Sequence, residues 1–256
     1  MSAGSFDLAG RRALVTGASR GIGRAIAEAL AEAGAALAVT ARSLDGLAET
    51  RAAIEAAGGR AECLALDVRD VAQCGAVMAE AARRLGGLDI LVNNAGTEEV
   101  RPSLEVDEAL WDKILGTNLK GAFFCAQAAA RAMKEAGTAG AIINLCSLTS
   151  EVGIPTAAPY GASKSGLLGL TRALSAEWAA LGIRVNAIVP GYFRTAMTEG
   201  FFADEGWQEA MLGKIPLGRF GELRDLKGVA VFLASDASAY VTGQAFVVDG
   251  GYLASI

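Results

Sequence analysis

The sequence predicts an α/β fold in which about seven parallel strands form a doubly wound sheet with helices on both faces. Three observations predict it. Short aliphatic runs alternate with longer segments of helical periodicity, the rhythm of strands joined by crossover helices. Each run is apolar through most of its length, as strands covered on both sides require. No linker, low-complexity tract or repeat divides the 256 residues, so a single domain spanning 1–256 accounts for the chain.

The elements follow in order. Residues 12–16 (Arg-Ala-Leu-Val-Thr) read as a first strand and 21–33 as a helix with Ile22, Ile26 and Leu30 on one face. Residues 36–40 form a second strand, 44–57 a helix, 63–66 a third strand and 70–85 a helix. Residues 88–92 form a fourth strand. A helical region over 104–135 follows, expected to break near Gly116. Residues 141–145 form a fifth strand, 159–181 a helix, 183–188 a sixth strand, and 246–248 a seventh. The stretch 191–217 departs from this rhythm and is rich in aromatics, among them Tyr192, Phe201 and Trp207. Long excursions inside a regular fold are often lids over a binding site. The competing reading is a surface pair of helices packed on its own aromatics.

Composition excludes several classes of function. Hydrophobic residues make up 52% of the chain and charged residues 20%, with a formal net charge of -5. A nucleic-acid partner would want a basic face, which this balance does not favour. The chain has four cysteines (Cys63, Cys74, Cys125, Cys146), no metal-ligand spacing among them and no His, so no metal site is expected. Dispersed cysteines fit free thiols in a reducing compartment. Met1 to Asp7 lacks the pattern of a signal peptide and no run suits a membrane span, so a cytoplasmic protein without a membrane partner is expected.

The segment Thr16-Gly17-Ala18-Ser19-Arg20-Gly21-Ile22-Gly23 follows the first strand and opens the first helix. Gly17 permits a tight turn. Gly21 and Gly23 remove side chains where a pyrophosphate and the strand approach the backbone. The helix start offers free N–H groups to phosphate oxygens. In that context the glycines mark a Rossmann-type dinucleotide site built from Gly17, Ser19, Arg20, Gly21, Ile22 and Gly23. NAD sites usually carry an acidic residue at the end of the second strand. Here Val39-Thr40-Ala41-Arg42-Ser43 has none. Arg42, beside Ser43, offers a planar fork to a 2′-phosphate and Arg20 a second charge. NADP(H) is therefore expected, with NAD(H) still open. The alternative is that both arginines are solvated surface residues.

Tyr160 and Lys164 are four residues apart on the helix after strand five and share a face. Hydride transfer to or from a nicotinamide leaves a proton to be moved at the substrate oxygen, and the protein supplies that path. Without His, the carrier must be Tyr, Lys, Cys or a carboxylate. A neighbouring ammonium is expected to lower the Tyr160 pKa from the ordinary value of about 10. Ser147 lies at the carboxyl end of strand five, where open α/β sheets bind ligands. Cys146 beside it reads as a small buried thiol.

Taken in order, the glycine loop, Asn93-Asn94-Ala95-Gly96 after strand four, Ser147, Tyr160-x-x-x-Lys164 and Pro190-Gly191 after strand six resemble the motif set of the short-chain dehydrogenase/reductase family. The resemblance runs over residues 8–251. Within the family, Cys146-Ser147-Leu148-Thr149-Ser150-Glu151-Val152-Gly153 and Pro190-Gly191-Tyr192-Phe193-Arg194-Thr195-Ala196-Met197-Thr198 resemble the gluconate 5-dehydrogenase branch. The 3-oxoacyl-carrier-protein reductases are similar next, differing after Asn-Asn-Ala-Gly, where this chain has Thr97-Glu98-Glu99-Val100-Arg101-Pro102.

The resemblance implies an enzyme that interconverts a secondary alcohol and a ketone, with Asn118, Ser147, Tyr160 and Lys164 catalytic. It implies that Lys164 also contacts the nicotinamide ribose, and that Asn118 kinks its helix and holds a water linking Lys164 to solvent. It places Asn94, Ala95 and Gly96 at the adenosine ribose and the cleft floor, Asp67 at the adenine ring with Val68 beside it, and Pro190, Gly191 and Thr195 near the carboxamide. Asp67 has a competing reading as the N-cap of the following helix. Softer substrate candidates are Arg101, Thr149, Glu151, Tyr192, Phe201 and Trp207. A homotetramer is implied, as is a small-molecule alcohol or ketone substrate, with a sugar acid or polyol first and a 3-oxoacyl thioester or other small carbonyl compound second. A non-catalytic dinucleotide sensor is the alternative from outside enzymology, since fold does not prove function.

Overall fold

The computed structural model describes residues 6–256; of the N-terminal stretch read above, Met1 to Ser5 lie outside the described residues. Seven strands form one sheet, and every pairing is parallel. In chain order they are β1 (Arg12–Val15), β2 (Ala36–Ala41), β3 (Ala61–Ala65), β4 (Ile90–Asn93), β5 (Gly140–Leu145), β6 (Ile183–Pro190) and β7 (Ala245–Val248). Their spatial order is β3-β2-β1-β4-β5-β6-β7. The order reverses between β1 and β4, which opens a crevice at the carboxyl ends of those two strands.

Side chains alternate between the two faces, as a period of two demands. Ala13 and Val15, Ile90 and Val92, and Ala141 and Ile143 join one buried cluster. That cluster packs on α1 (Gly21–Glu32), α2 (Ala48–Ala56) and α9 (Lys227–Ala234). The intervening Leu14, Leu91 and Ile142 join a second cluster on the opposite face. It packs on α3 (Val71–Leu85), α5 (Ala122–Ala136) and α6 (Ala158–Trp178). Asp89 ties the amino ends of β1 and β4 together. Its carboxylate accepts from the Arg12 backbone N–H at 2.9 Å and from the Arg12 guanidinium at two positions, 2.7 Å each. A bidentate, 6%-exposed carboxylate of this kind locks register rather than decorating the surface.

Several expectations change: β4 begins at Ile90 rather than 88, β6 runs on to Pro190, and the helical region expected from 104 begins as α-helix only at Glu108, after a short 3-10 turn, Ser103–Glu105. Strand β3 begins at Ala61, earlier than 63. The break expected near Gly116 does not occur: α4 (Glu108–Leu115) runs into α5 through a π-helical turn, Gly116–Gly121. The widened turn inserts an extra residue without ending the helix and re-aims what it carries. It carries Asn118. The excursion after β6 contains α7 (Glu199–Phe202) and α8 (Glu205–Leu212). No described helix is long and apolar enough to cross a membrane.

Candidate active site

A cleft of about 510 Å³ runs along the carboxyl ends of the strands. At one end it is lined by the glycine loop, Arg42, Asp67 and Val68; at the other by Tyr160, Lys164, Pro190 and Thr195, with Asn94 to Glu98 along the floor.

The glycine loop is held by close backbone contact. Gly17 has φ +65°, a region other residues avoid, and a Cβ there would lie 2.8 Å from the Ala95 Cα. At Gly23 a Cβ would meet the Asn94 Nδ2 and the Gly17 carbonyl. The vacant space is used. The Asn94 amide donates to the carbonyls of Thr16 and Gly17, both at 2.9 Å, and the Thr16 hydroxyl accepts from the backbone N–H groups of Asn94 and Ala95, both at 3.0 Å. Asn94 therefore braces the loop. The helix α1 starts at Gly21 with no side-chain cap, which leaves its first N–H groups open to an anion.

At the far end, Arg20 and Arg42 are exposed and line the cleft, and their guanidinium groups make no hydrogen bond to any described residue. Two free guanidinium forks beside an uncapped helix fit a dinucleotide carrying an extra phosphate. Asp67 lines the cleft and bonds Arg69 through its carboxylate, which holds its carboxyl below the usual range against the opposing effect of burial. Asp67 is not the cap of α3: that role belongs to Asp70, whose carboxylate accepts from the N–H groups of Ala72 and Gln73. Ser19 and Ile22 line the cleft, whereas Ser43 and Gly191 do not. Gly191 instead packs on Asp249 and donates its N–H to the Val248 carbonyl at 2.9 Å.

The chemical end is assembled from three elements. Ser147 leaves β5 in extended conformation and begins a short 3-10 turn, Leu148–Ser150, with its hydroxyl accepting from the Thr149 N–H. That hydroxyl lies close enough to the Tyr160 side chain to favour its phenolate. Helix α6, started by Pro159 in its first turn, brings up Tyr160 half-buried and Lys164 only 4% exposed. The Lys164 Nζ donates to the Leu145 carbonyl at 2.6 Å and sits 5.6 Å from the centre of the Tyr160 ring. Gly96 passes beside both groups: a Cβ on it would be in ordinary contact with the Asn118 Oδ1 at 3.4 Å and the Lys164 Nζ at 3.6 Å.

Asn118 is 1% exposed and its amide clamps one residue of the floor. Its Oδ1 accepts from the Thr97 N–H at 2.8 Å while its Nδ2 donates to the Thr97 carbonyl at 2.9 Å and to the Ser163 hydroxyl at 3.0 Å. Ser163 in turn donates to the Tyr160 carbonyl at 2.7 Å. The π turn thus joins the cleft floor to the backbone of the tyrosine.

The electrostatics depart from the expected lowering of Tyr160. Burial pushes the phenol above its ordinary value, the nearby carboxylate of Glu98 pushes the same way, and the Ser147 hydrogen bond opposes both. Burial also lowers Lys164. In the protein alone, desolvation is the largest effect on both groups. The Cys146 thiol is pushed up to about 11 by burial, which leaves it protonated and unreactive near neutrality. Among the described residues no cluster suits a metal ion.

None of the six softer substrate candidates lines the cleft. The guanidinium of Arg101 is taken by Glu99 and Asp107. Glu151 is exposed; the Thr149 hydroxyl is buried without a partner. Tyr192, Phe201 and Trp207 pack on one another, with ring centres 5.3 Å and 5.6 Å from Trp207. From the excursion it is Thr195, Ala196 and Met197 that reach the cleft. The sequence reading missed Glu98, which lines the chemical end. The available signal was an acidic residue two places beyond the Asn-Asn-Ala-Gly motif, in a stretch used only to separate branches.

Comparisons with known proteins agree with this geometry. Residues 17–253 match the family described as Enoyl-(Acyl carrier protein) reductase. The gluconate 5-dehydrogenase of Gluconobacter oxydans (strain 621H) is 41% identical over 251 residues, 98% of each chain. A crystal structure from Sinorhizobium meliloti 1021, assigned as a short-chain alcohol dehydrogenase, is 72% identical with a TM-score of 0.96, over 98% of this chain and 99% of that one. A gluconate 5-dehydrogenase of Burkholderia cenocepacia J2315, solved with NADP and tartrate, is 41% identical with a TM-score of 0.95 over 99% of both chains. The fold, the order of the motifs and these likenesses together establish that the chain belongs to the short-chain dehydrogenase/reductase family of oxidoreductases.

Proposed function

We propose that the protein is an NADP(H)-linked oxidoreductase that interconverts a secondary alcohol and a ketone on a sugar acid or polyol-like substrate, in the manner of the gluconate 5-dehydrogenases it resembles. The observation that carries the reaction is that Tyr160 and a buried Lys164 line the end of the cleft that the glycine loop opens, with Ser147 acting on the Tyr160 phenol from just behind its wall. The nicotinamide supplies the hydride chemistry when bound. Ser147 holds the substrate oxygen, Tyr160 passes the proton, Lys164 supplies positive charge, and Asn118 fixes the floor opposite. Arg20 and Arg42 favour NADP(H) over NAD(H). The solved relative with NADP and tartrate supports both the cofactor and a hydroxylated acid as the substrate class.

The test is a panel of carbonyl compounds with NADPH and NADH, followed at 340 nm. Turnover of 5-ketogluconate is expected. Inactivity there alongside turnover of an acetoacetyl thioester would favour the 3-oxoacyl-carrier-protein reductase alternative. Tyr160→Phe should abolish turnover while leaving NADPH binding nearly intact, whereas a non-catalytic sensor has no turnover to lose. The residues at 191–217 serve as a lid in this reading, with Thr195 to Met197 as its contacting edge. The enzyme is a cytoplasmic homotetramer in this reading, assembled through the outer faces of α4–α5 and α6 and through the C-terminal strand, where Trp111 and Val247 are exposed. Sedimentation as a monomer at micromolar concentration would refute the assembly.

A further inference from the structure

Glu98 is a carboxylate that the fold holds in place without a partner. Its neighbour Thr97 is clamped at both its N–H and its carbonyl by Asn118, so the backbone entering Glu98 is fixed. Its side chain is half-buried and lines the cleft with Tyr160 and Lys164. It makes no hydrogen bond and no ion pair shorter than 4 Å with any described residue, while the adjacent Glu99 takes the two local cations, Arg101 and Lys113. Three side chains sense its charge: Tyr160, Lys164 and Tyr192. Tyr160 and Lys164 on α6 share the cleft lining with Glu98, and Tyr192 lies at the exit of β6.

An ionised carboxylate accepts through about four lone-pair positions and donates nothing. Partly desolvated and without a hydrogen-bonded or ion-paired partner, it is costly to the fold, and burial pushes its carboxyl above the ordinary range against the weaker pull of the Lys164 charge. A structural role would have given it the nearby Arg101 or Lys113; the fold pairs both with Glu99 instead. A carboxylate kept free at a reacting centre selects what can donate to it. It repels an anion and gives nothing to a plain hydrocarbon.

We propose that Glu98 is a specificity-determining residue that accepts a hydrogen bond from a hydroxyl on the carbon beside the reacting carbon, and so selects α-hydroxy ketones and vicinal diols over unsubstituted ones. This rests on the functional reading above and deepens it. A sugar acid then binds with its carboxylate at the far end of the chain from Glu98, and the carbonyl that reacts is one flanked by a hydroxylated carbon. A 3-oxoacyl chain, which has methylene on both sides of its ketone, gains nothing from this group.

The experiment compares two ketones of similar size, hydroxyacetone and 2-butanone, with NADPH for the wild type, Glu98→Gln and Glu98→Leu. The wild type is expected to favour hydroxyacetone in kcat/KM. The ratio between the two substrates should fall about 10- to 150-fold in Glu98→Leu, the range for one hydrogen bond to a charged group, and less in Glu98→Gln, whose amide oxygen still accepts. The loss should appear mainly in KM, because the contact exists in the ground state as well as the transition state. Thermal melts check that both variants fold, and Glu98→Gln, nearly isosteric, carries the test if the leucine variant does not. A ratio unchanged in both variants overturns the assignment, as does a wild type that prefers 2-butanone or accepts neither ketone. Inactivity on 5-ketogluconate with the ratio behaving as stated sinks the sugar-acid reading and leaves Glu98 standing.

Discussion

Asn118→Ala removes three hydrogen bonds from the middle of a continuous helix without touching the substrate. The lost bonds are the Thr97 N–H to Oδ1 at 2.8 Å, the Nδ2 to the Thr97 carbonyl at 2.9 Å and the Nδ2 to the Ser163 hydroxyl at 3.0 Å. A neutral hydrogen bond contributes a net of about 1 kcal/mol, and leaving a buried partner unpaired costs about 1–3 kcal/mol. Ser163 is fully buried and keeps its bond to the Tyr160 carbonyl, while Thr97 is half-buried and regains some water. The net loss is therefore about 2–4 kcal/mol. For a chain of this size that lowers Tm by roughly 5–15 °C. Circular dichroism melts measure it, and NADPH oxidation measures the accompanying fall in kcat as the floor at Thr97 and Glu98 loosens. Asn118→Asp should be at least as damaging at neutral pH. It keeps the acceptor for the Thr97 N–H but sets a carboxylate against the Thr97 carbonyl. A Tm within about 2 °C of wild type for the alanine variant, with kcat intact, would refute the clamp.

Gly17→Ala should destabilise the fold by at least about 2 kcal/mol, since left-handed backbone alone costs a side chain about 1–2 kcal/mol and the new Cβ meets the Ala95 backbone. Unchanged melting and NADPH affinity would show that the loop tolerates displacement from β4. Arg42→Ala should raise the KM for NADPH by about 10- to 100-fold while barely moving that for NADH, because one charge-assisted contact is lost to the extra phosphate. Equal effects on both cofactors would remove Arg42 from phosphate recognition. Because burial raises the Glu98 carboxyl, the folded chain holds that proton more tightly than the unfolded chain does. Stability from Glu98 is therefore lost as pH rises through the folded pKa, and nothing is lost below the ordinary carboxylate value of about 4.3. Glu98→Gln should melt above the wild type at pH 8 and with it near pH 4, and a difference independent of pH would contradict the burial of that charge.

The sequence by itself determined the sheet, the glycine loop and the Tyr160–Lys164 pair. All three rest on local periodicity. Alternation of Ala13, Leu14 and Val15 between two faces is written in neighbouring residues, a glycine turn is a property of a few consecutive dihedrals, and positions four apart share a helix face wherever the helix lies. Residues 104–135 mark the limit. The pattern reveals helix on both sides of Gly116 but not that the chain passes through a π turn, because the local cost of that turn is offset by partners distant in sequence, Thr97 and Ser163. Arg101 reads as a free cation near a pocket until the fold sets Glu99 and Asp107 against it. Tyr160 reads as a phenol eased downward by its lysine, yet desolvation depends on what closes over both groups, and it reverses the direction. Glu98 and Glu99 are indistinguishable as letters. Only the packing of the β4 exit against α4 and α6 gives one of them two cations and leaves the other facing the cleft, because burial and charge pairing are set by contacts across the chain, and local pattern carries no record of them.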